Sequence, residues 1–431
     1  MPNGNQDAGK HLVRSQENYI DLNRSFAANH FRTEKTKQPI LDAGFKLSDF
    51  FTKKIFLWLY HYLKSRFGPN HAYSVYDGGA DNGIYALTDH NGNESSPVVI
   101  AVVGDWATFT PESEEIAEKI REHQPDYSIH IGDTYYVGAP HEVENNFTLP
   151  GSPWPRGKSG SFALLGNHEM YARGIAYFDE LLGTLGLRGN DGVYQGQKAA
   201  FYCLENKYWR ILGLDTGYHS IGKIPLLEMI SWFAPKCRFD DLMIKWLKET
   251  LKLDDPNDQR ALVVLTHHQY ISAFKDEKEY LDPAEQLGAI LGTNRPIIWI
   301  WGHEHKFSIY GKAQVGKGVS AYGRCIGHGG MPVELEKFEK NASSHGYGSL
   351  VMVDDRAVPG QGDYPLGYNG YCLMKIAGAK LVLEYYDKDK LLFSEEWMAN
   401  GMGGMEGKIF PPDSSSALKA QDGKNWEDAV K

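Results

Sequence analysis

The chain reads as a layered α/β protein, and three observations predict it. Short apolar runs such as VVIAVV, SFALL, ALVVL and IIWIW are continuous rather than alternating, as in strands buried on both faces. Helical segments lie between them, which favours a layered α/β arrangement over separate all-α and all-β parts. Five of the apolar runs end in Gly or Thr followed by a polar residue of metal-ligand type. With 431 residues, 42% of them hydrophobic, the chain is long enough for a sizeable core.

Residues 1–96 are expected to form an N-terminal extension. Its first part is polar and weakly patterned. KLSDFFTKKIFLWLYHYLKSRF, residues 46–67, repeats Leu47, Phe51, Ile55, Trp58, Leu59 and Tyr62 at helical spacing. Ser48 or Asp49 would cap that helix and Gly68-Pro69 would stop it. Docking on the main domain is the first reading. Contact with a membrane surface or a partner is the second, because the apolar face is aromatic and Lys53, Lys54 and Lys64 flank it.

The main domain is expected over 97–395. VVIAVVGD leads into TPESEEIAEKIREH, with Thr110 as helix cap and Pro111 in the first turn. YSIHIGD, SFALLGN and a helix near IAYFDELLGTL follow. FYCLEN and YWRILGLD read as a strand pair, DDLMIKWLKETL as an amphipathic helix, and LVVLTH and IIWIWGHEH as two more strands. Runs near 318–326, 348–354, 370–376 and 380–386 read as further sheet. Residues 396–431, rich in Gly, Ser and charge, are expected to be a disordered tail.

Composition narrows the function. The net charge is −10 and no long basic run occurs, so nucleic acid is not an expected partner. Four cysteines without a close CxxC pair do not suggest a zinc cluster or disulfide framework. There is no apolar signal segment, and no run of about 20 apolar residues, so the expected location is the cytoplasm.

Five strand ends carry the chemistry. VVIAVVG ends in Asp105, YSIHIG in Asp133, and SFALLG in Asn167, followed by His168 and Glu169. LVVLT ends in His267 and IIWIWG in His303, with His305 two residues on. Sites in open α/β sheets collect beyond the carboxyl ends of strands, so these side chains are expected in one crevice. Carboxylate, amide oxygen and imidazole together suit iron, manganese or zinc. A GD turn alone means little. GNHE has little packing logic at a strand end, GHEH would be odd in a core although a solvated loop would explain it alone, and the ordered set is specific where each part is weak.

GDW, GDTYY, GNHE, THH and GHEH, in this order, resemble the calcineurin-like metallophosphoesterase superfamily. The resemblance covers about 97–310 and extends toward 390. It implies a four-layer α/β/β/α sandwich. Asp105 is followed by Trp106 and Ala107, so the histidine usual two residues after this aspartate is absent. GDxxY at 132–136 is similar to purple acid phosphatases, in which a tyrosine takes that place. GDTYYVG with FALLGNHEMY also resembles a group of bacterial metallophosphoesterases.

The resemblance implies that Asp105, Tyr136 and His305 bind a first metal, Asn167, His267 and His303 a second, and that Asp133 bridges them. His267 rather than His268 holds the first position after its strand. Two divalent or trivalent ions (Fe, Zn or Mn) would be the cofactors, with a phenolate favouring ferric iron. His168 would act near the leaving oxygen, oriented by Glu169 or a carbonyl. His268, His219 and His328 are candidate pocket residues, and Asp215 a structural hydrogen-bonding residue. The implied reaction is hydrolysis of a phosphate ester by in-line attack of a metal-bound hydroxide, on a small molecule or a phosphoprotein. Alternatives are a phosphodiesterase, nucleotidase or nuclease of the same superfamily, or a non-catalytic scaffold. The chain departs from purple acid phosphatases in one respect: QYISAFKDEKEY, after the THH motif, lacks further histidines.

Overall fold

The computed structural model describes residues 68–94, 96–221, 236–292, 295–315, 319–359, 365–413 and 416–431. The helix expected over 46–67 lies outside them.

Two eight-stranded sheets form the body. Across the first run β1 (Ile84–Ala86), β6 (Tyr202–Glu205), β7 (Trp209–Gly213), β8 (Ala261–Thr266), β9 (Pro296–Trp301), β11 (Val319–Ile326), β10 (Phe307–Val315) and β12 (Leu350–Val353). The second contains β16 (Met405–Phe410), β15 (Leu391–Ala399), β14 (Lys380–Asp387), β13 (Gly370–Ala377), β2 (Val98–Val103), β3 (Tyr127–His130), β4 (Gly160–Ala163) and β5 (Gly186–Leu187). Both sheets are mixed. β7, β8 and β9 run parallel in one, and β2, β3 and β4 in the other.

A large apolar core lies between the sheets, with Ile100, Ile129, Phe162, Val263, Ile298 and Trp397 among its members. A second core packs the outer face of the first sheet, under Met243, Trp246 and Leu247 of helix Asp241–Glu249 and Leu287 and Ile290 of helix Leu281–Leu291. A third packs the outer face of the second sheet, under Ile116, Ala117 and Ile120 of helix Pro111–Glu122. Helix, sheet, sheet, helix is the four-layer order expected. Continuous strand hydrophobicity follows from it, since the central strands are covered on both faces: β3, β4 and β8 are buried at every residue.

Local signals hold in detail. Thr110 caps Pro111–Glu122 by accepting from the Ser113 N–H, and Ser113 Oγ accepts from the Thr110 N–H in return. FYCLEN and YWRILG pair as antiparallel β6 and β7.

Three expectations change. The helix near IAYFDELLGTL is a π-turn over Tyr177–Leu181 followed by a 3₁₀ turn over Leu182–Thr184. The extension is not separate throughout, because β1 joins the first sheet beside β6. The tail is not a disordered segment where it is described. β16 pairs with β15, and Leu418, Ala429 and Val430 are buried. The physical reason is Arg324, fully buried, which donates through Nη2 to the Ala429 carbonyl at 2.9 Å and pairs with the equally buried Glu395 at 2.8 Å. A polar, Gly-rich composition does not reveal that a distant arginine needs that carbonyl.

Candidate metal centre

The carboxyl ends of β2, β3 and β4 in one sheet and of β8 and β9 in the other open onto one crevice. Each strand is followed within a few residues by a polar side chain turned into it. Asp105, Asp133 and His303 adopt positive φ of 56°, 72° and 65°. That left-handed backbone costs about 1–3 kcal/mol for each non-glycine residue and collects at functional sites. The turns hold it with hydrogen bonds: Asp105 N–H donates to Gly132 O at 3.2 Å, and His303 N–H to Asp105 Oδ2 at 2.7 Å.

His303 and His305 show how the GHEH spacing works. The segment is a tight bend, with the Glu304 N–H donating to Gly302 O at 2.7 Å and the Lys306 N–H to Glu304 O at 2.6 Å, and it turns both imidazoles to the crevice while Glu304 faces the protein. Glu304 is fully buried there, accepting from Ser272 Oγ at 2.5 Å and from the Trp301 indole at 2.8 Å. Burial, its largest influence, pushes its carboxyl up to about 7. It anchors the loop that carries both histidines.

The donor atoms gather in two groups. In the first, the Tyr135 hydroxyl lies 2.7 Å from Asp105 Oδ1, 3.1 Å from Asp133 Oδ2 and 2.8 Å from His305 Nε2. His305 Nε2 is 3.5 Å from Asp105 Oδ1. In the second, His267 Nε2 lies 3.1 Å from Asn167 Oδ1, 3.2 Å from Asp133 Oδ1 and 3.3 Å from His303 Nδ1. Asp133 contributes one oxygen to each group.

These separations fit metal ions. With bonds of about 2.1 Å, neighbouring ligands are about 3.0 Å apart in an octahedron and about 3.4 Å apart in a tetrahedron. The observed contacts fall around both values, and the donor set is nitrogen and oxygen, as iron, zinc or manganese prefer. His267, His268 and His303 also hold donor atoms within 4.8 Å of one another.

The tyrosine differs from expectation by one residue: Tyr135, not Tyr136, reaches Asp105 and His305. A parallel bridge pairs Thr134 with Ala107, and the Tyr135 N–H donates to Ala107 O at 3.0 Å. That pairing turns the Tyr135 side chain to Asp105. Tyr136 packs with Val137, Ala139 and Tyr171, and its N–H donates to Glu142 Oε1 at 2.5 Å. Two adjacent tyrosines cannot be ordered by composition, and the two-residue pairing with Ala107 is invisible in sequence.

His168 sits at the crevice with its side chain 21% exposed. Its Nδ1 is 2.6 Å from the Tyr136 carbonyl, which only accepts, so Nδ1 carries a proton and donates. Its Nε2 is left facing Asp133 Oδ2 at 3.7 Å. The orienting carbonyl is thus that of Tyr136. Glu169 instead accepts from the Gly166 N–H at 2.9 Å and the Asp133 N–H at 3.3 Å.

The charges of the cluster oppose one another. Burial acts to raise the Asp133 carboxyl, but the His267 and His168 imidazoles outweigh it and hold it well below the usual carboxylate range. Burial likewise acts against Asp105, and His305 and His267 still lower it. For His267 burial favours the neutral ring, yet Asp133 raises it to about 9. Burial, then the charge of His267, lowers His303 to about 4. Burial, followed by Asp133, pushes Glu169 up to about 7. Bound cations would take over the partnership that these groups form with each other.

The candidate pocket residues part company. His268 is 2% exposed, hydrogen-bonded at 3.1 Å to Thr216 Oγ1, with its ring 4.5 Å from that of His303 and 5.0 Å from that of Tyr280. Burial first, then His303 and His267, hold it well below its usual value, with Lys278 a smaller contributor. His328 does not line a mouth. It is 2% exposed and stacks on Phe307 at 5.0 Å, because its glycine-rich loop folds back over Gly104 and Trp106. His219 is engaged by Asp240 at 2.8 Å. Asp215 is 1% exposed and accepts from the Gly217 and Tyr218 N–H groups, a turn-holding role.

Sequence reading missed Tyr171 and Tyr280 at the rim. Tyr171 lies with its ring 5.0 Å from His168 and its hydroxyl 3.4 Å from Asn167 Nδ2. The former lies two residues after the end of GNHE, which was an available signal. Tyr280 carries no motif. Among the described residues, no helix is long and apolar enough to cross a membrane.

Residues 98–307 match the calcineurin-like phosphoesterase family, a span that contains every donor described above. No curated protein matches the chain. Among solved structures, the chain is similar to a purple acid phosphatase from yellow lupin seeds, with 16% identity and a TM-score of 0.39 over 71% of this chain and 54% of that one. It thus spans about half the length of the lupin protein. It is also similar to PhoD, with 9% identity and a TM-score of 0.42 over 74% of this chain and 73% of that one. Vacuolar protein sorting 29 from Cryptosporidium parvum aligns at 12% identity and a TM-score of 0.25, over 73% of this chain and 98% of that one.

Proposed function

Because residues 98–307 belong to the calcineurin-like phosphoesterase family, we propose that the chain hydrolyses phosphate esters at a dinuclear metal centre. The observation that carries this reading is the pair of donor groups joined through Asp133. Tyr135, Asp105 and His305 would hold one ion, and Asn167, His267 and His303 the other. A phenol in place of the histidine absent after Asp105 favours a purple acid phosphatase-like first position, and iron, zinc or manganese as the metals. When bound, such ions neutralise phosphoryl oxygens and lower the pKa of a coordinated water.

The residues supply the rest. His168 donates its Nδ1 proton to the Tyr136 carbonyl, so proton exchange with the leaving oxygen takes place at Nε2. Asp133 Oδ1 is held by the His168 N–H at 2.9 Å, which ties acid and bridge into one rigid turn. With a net charge of −10, the preferred substrates are small phosphate esters or a phosphoprotein rather than nucleic acid.

The test is a panel of aryl phosphomonoesters and diesters with protein reconstituted with Fe, Mn or Zn. Hydrolysis is expected, and His168→Ala should keep its metal content while losing about 10²–10⁴-fold in turnover. Full metal occupancy without hydrolysis of any ester would favour a scaffold and overturn the enzymatic reading.

A further inference from the structure

Loop 275–280 lies beside the second donor group, held from beneath at three points. Glu277 pairs at 2.6 Å with Lys306, whose side chain is only 2% exposed and whose ammonium lies 4.6 Å from the Phe274 ring centroid. Glu279 accepts from the Ser272 N–H at 3.2 Å, the Gly346 N–H at 3.0 Å and His345 Nδ1 at 2.6 Å. The Lys278 carbonyl accepts from Gln269 Nε2 at 2.7 Å.

Alternate residues behave differently. The Tyr280 ring centroid is 5.0 Å from that of His268 and 6.0 Å from that of His303. The Lys278 ammonium sits 5.2 Å from the Tyr280 ring centroid. Lys275 on the same loop pairs with Glu339, and Lys306 with Glu277. Lys278 has no carboxylate partner among the described residues. A cation without a carboxylate partner among the described residues, on a pinned loop and one aromatic ring away from His268 and the donor His303, is placed for a ligand that extends outward from the metals. Because the loop is already ordered, little entropy is lost when a ligand meets it.

We propose that Tyr280 and Lys278 form the leaving-group subsite. Tyr280 packs the organic part, and Lys278 selects esters that carry a second anionic group, a carboxylate or a further phosphate, beyond a planar leaving group. This rests on the phosphoesterase reading.

The experiment measures binding, so it does not depend on turnover. Calorimetry on the manganese-loaded protein compares 4-carboxybenzylphosphonate with 4-carbamoylbenzylphosphonate, which differ only in the distal charge. The carboxylate should bind about threefold to fivefold more tightly at low salt, the size of one partly exposed charge pair. The preference should shrink as salt screens it. Lys278→Met should abolish the preference, Lys278→Arg should keep it, and Lys275→Gln should leave it unchanged. Tyr280→Leu should weaken both ligands. Equal affinities in the unaltered protein, or a preference that survives Lys278→Met, would overturn the proposal. Failure of both ligands to bind would overturn it together with the phosphoesterase reading. Hydrolysis of 4-carboxyphenyl phosphate, followed alongside, separates the two: a preserved binding preference without turnover would count against the phosphoesterase reading alone.

Discussion

Replacing Tyr135 with phenylalanine removes one oxygen from the first donor group and leaves the ring. That oxygen is within 3.1 Å of Asp105 Oδ1, Asp133 Oδ2 and His305 Nε2. The second group is built from other atoms, those of Asn167, His267 and His303 together with Asp133 Oδ1. Loss of a residue that merely supports a metal ligand lowers affinity by about 10–100-fold, and loss of a donor should cost no less. The expectation is therefore a drop of at least about tenfold to hundredfold, or about 1.4–2.7 kcal/mol, for one metal equivalent. The other equivalent should stay. Tyr136→Phe is the matched control, since it too removes one hydroxyl, from a ring packed against Val137, Ala139 and Tyr171. Metal content after dialysis and competitive titration would show the difference. The ferric form adds a spectroscopic readout: any visible phenolate-to-iron absorption should vanish in Tyr135→Phe and persist in Tyr136→Phe. Bleaching by Tyr136→Phe, with colour and metal retained in Tyr135→Phe, would refute the assignment.

Gly166→Ala should disrupt the centre without replacing any donor residue. A methyl there would collide with Asp133 Oδ1 and come within 2.6 Å of the Asp133 nitrogen. Metal content should fall in both equivalents, and a variant that retains both would refute the close approach. Arg324→Met should lower stability by about 3–5 kcal/mol, because it strands the buried Glu395 charge and releases the Ala429 carbonyl. Chemical denaturation measures it, with proteolysis of the C-terminal segment as a second readout. A loss under about 1 kcal/mol would show that the ion pair is not needed to hold the tail.

Much of the fold was legible because its cause is local. A strand covered on both faces is apolar at most positions, so ALVVLT and IIWIW declare themselves. Thr110-Pro111 declares a helix start because only the next few backbone N–H groups need capping. The crevice was legible for a related reason. Asp105, Asp133, Asn167, His267 and His303 each follow a strand, and parallel strands deliver their carboxyl ends to one side.

Where the outcome depended on residues far apart in the chain, sequence reading failed. His328 looked like a mouth residue because it sits in a glycine-rich loop. Those glycines serve close contacts with Gly104 and Trp106, which carry the imidazole onto Phe307. The tail looked disordered because its composition is polar. Its order comes from β15 and from Arg324, which lies on another strand.

The amino-acid sequence by itself determined the layered α/β class, the strand ends and the chemical types gathered there, since burial, capping and ligand type are properties of single residues and short runs. Only the tertiary structure decided which of two neighbouring tyrosines meets Asp105, which histidines stay at the crevice, and that Lys278 and Tyr280 stand beside it. Those outcomes are set by pairing across the chain: Thr134 against Ala107, Glu277 against Lys306, Glu279 against His345. A side chain's direction follows from the partner that holds its backbone, and no local pattern names that partner.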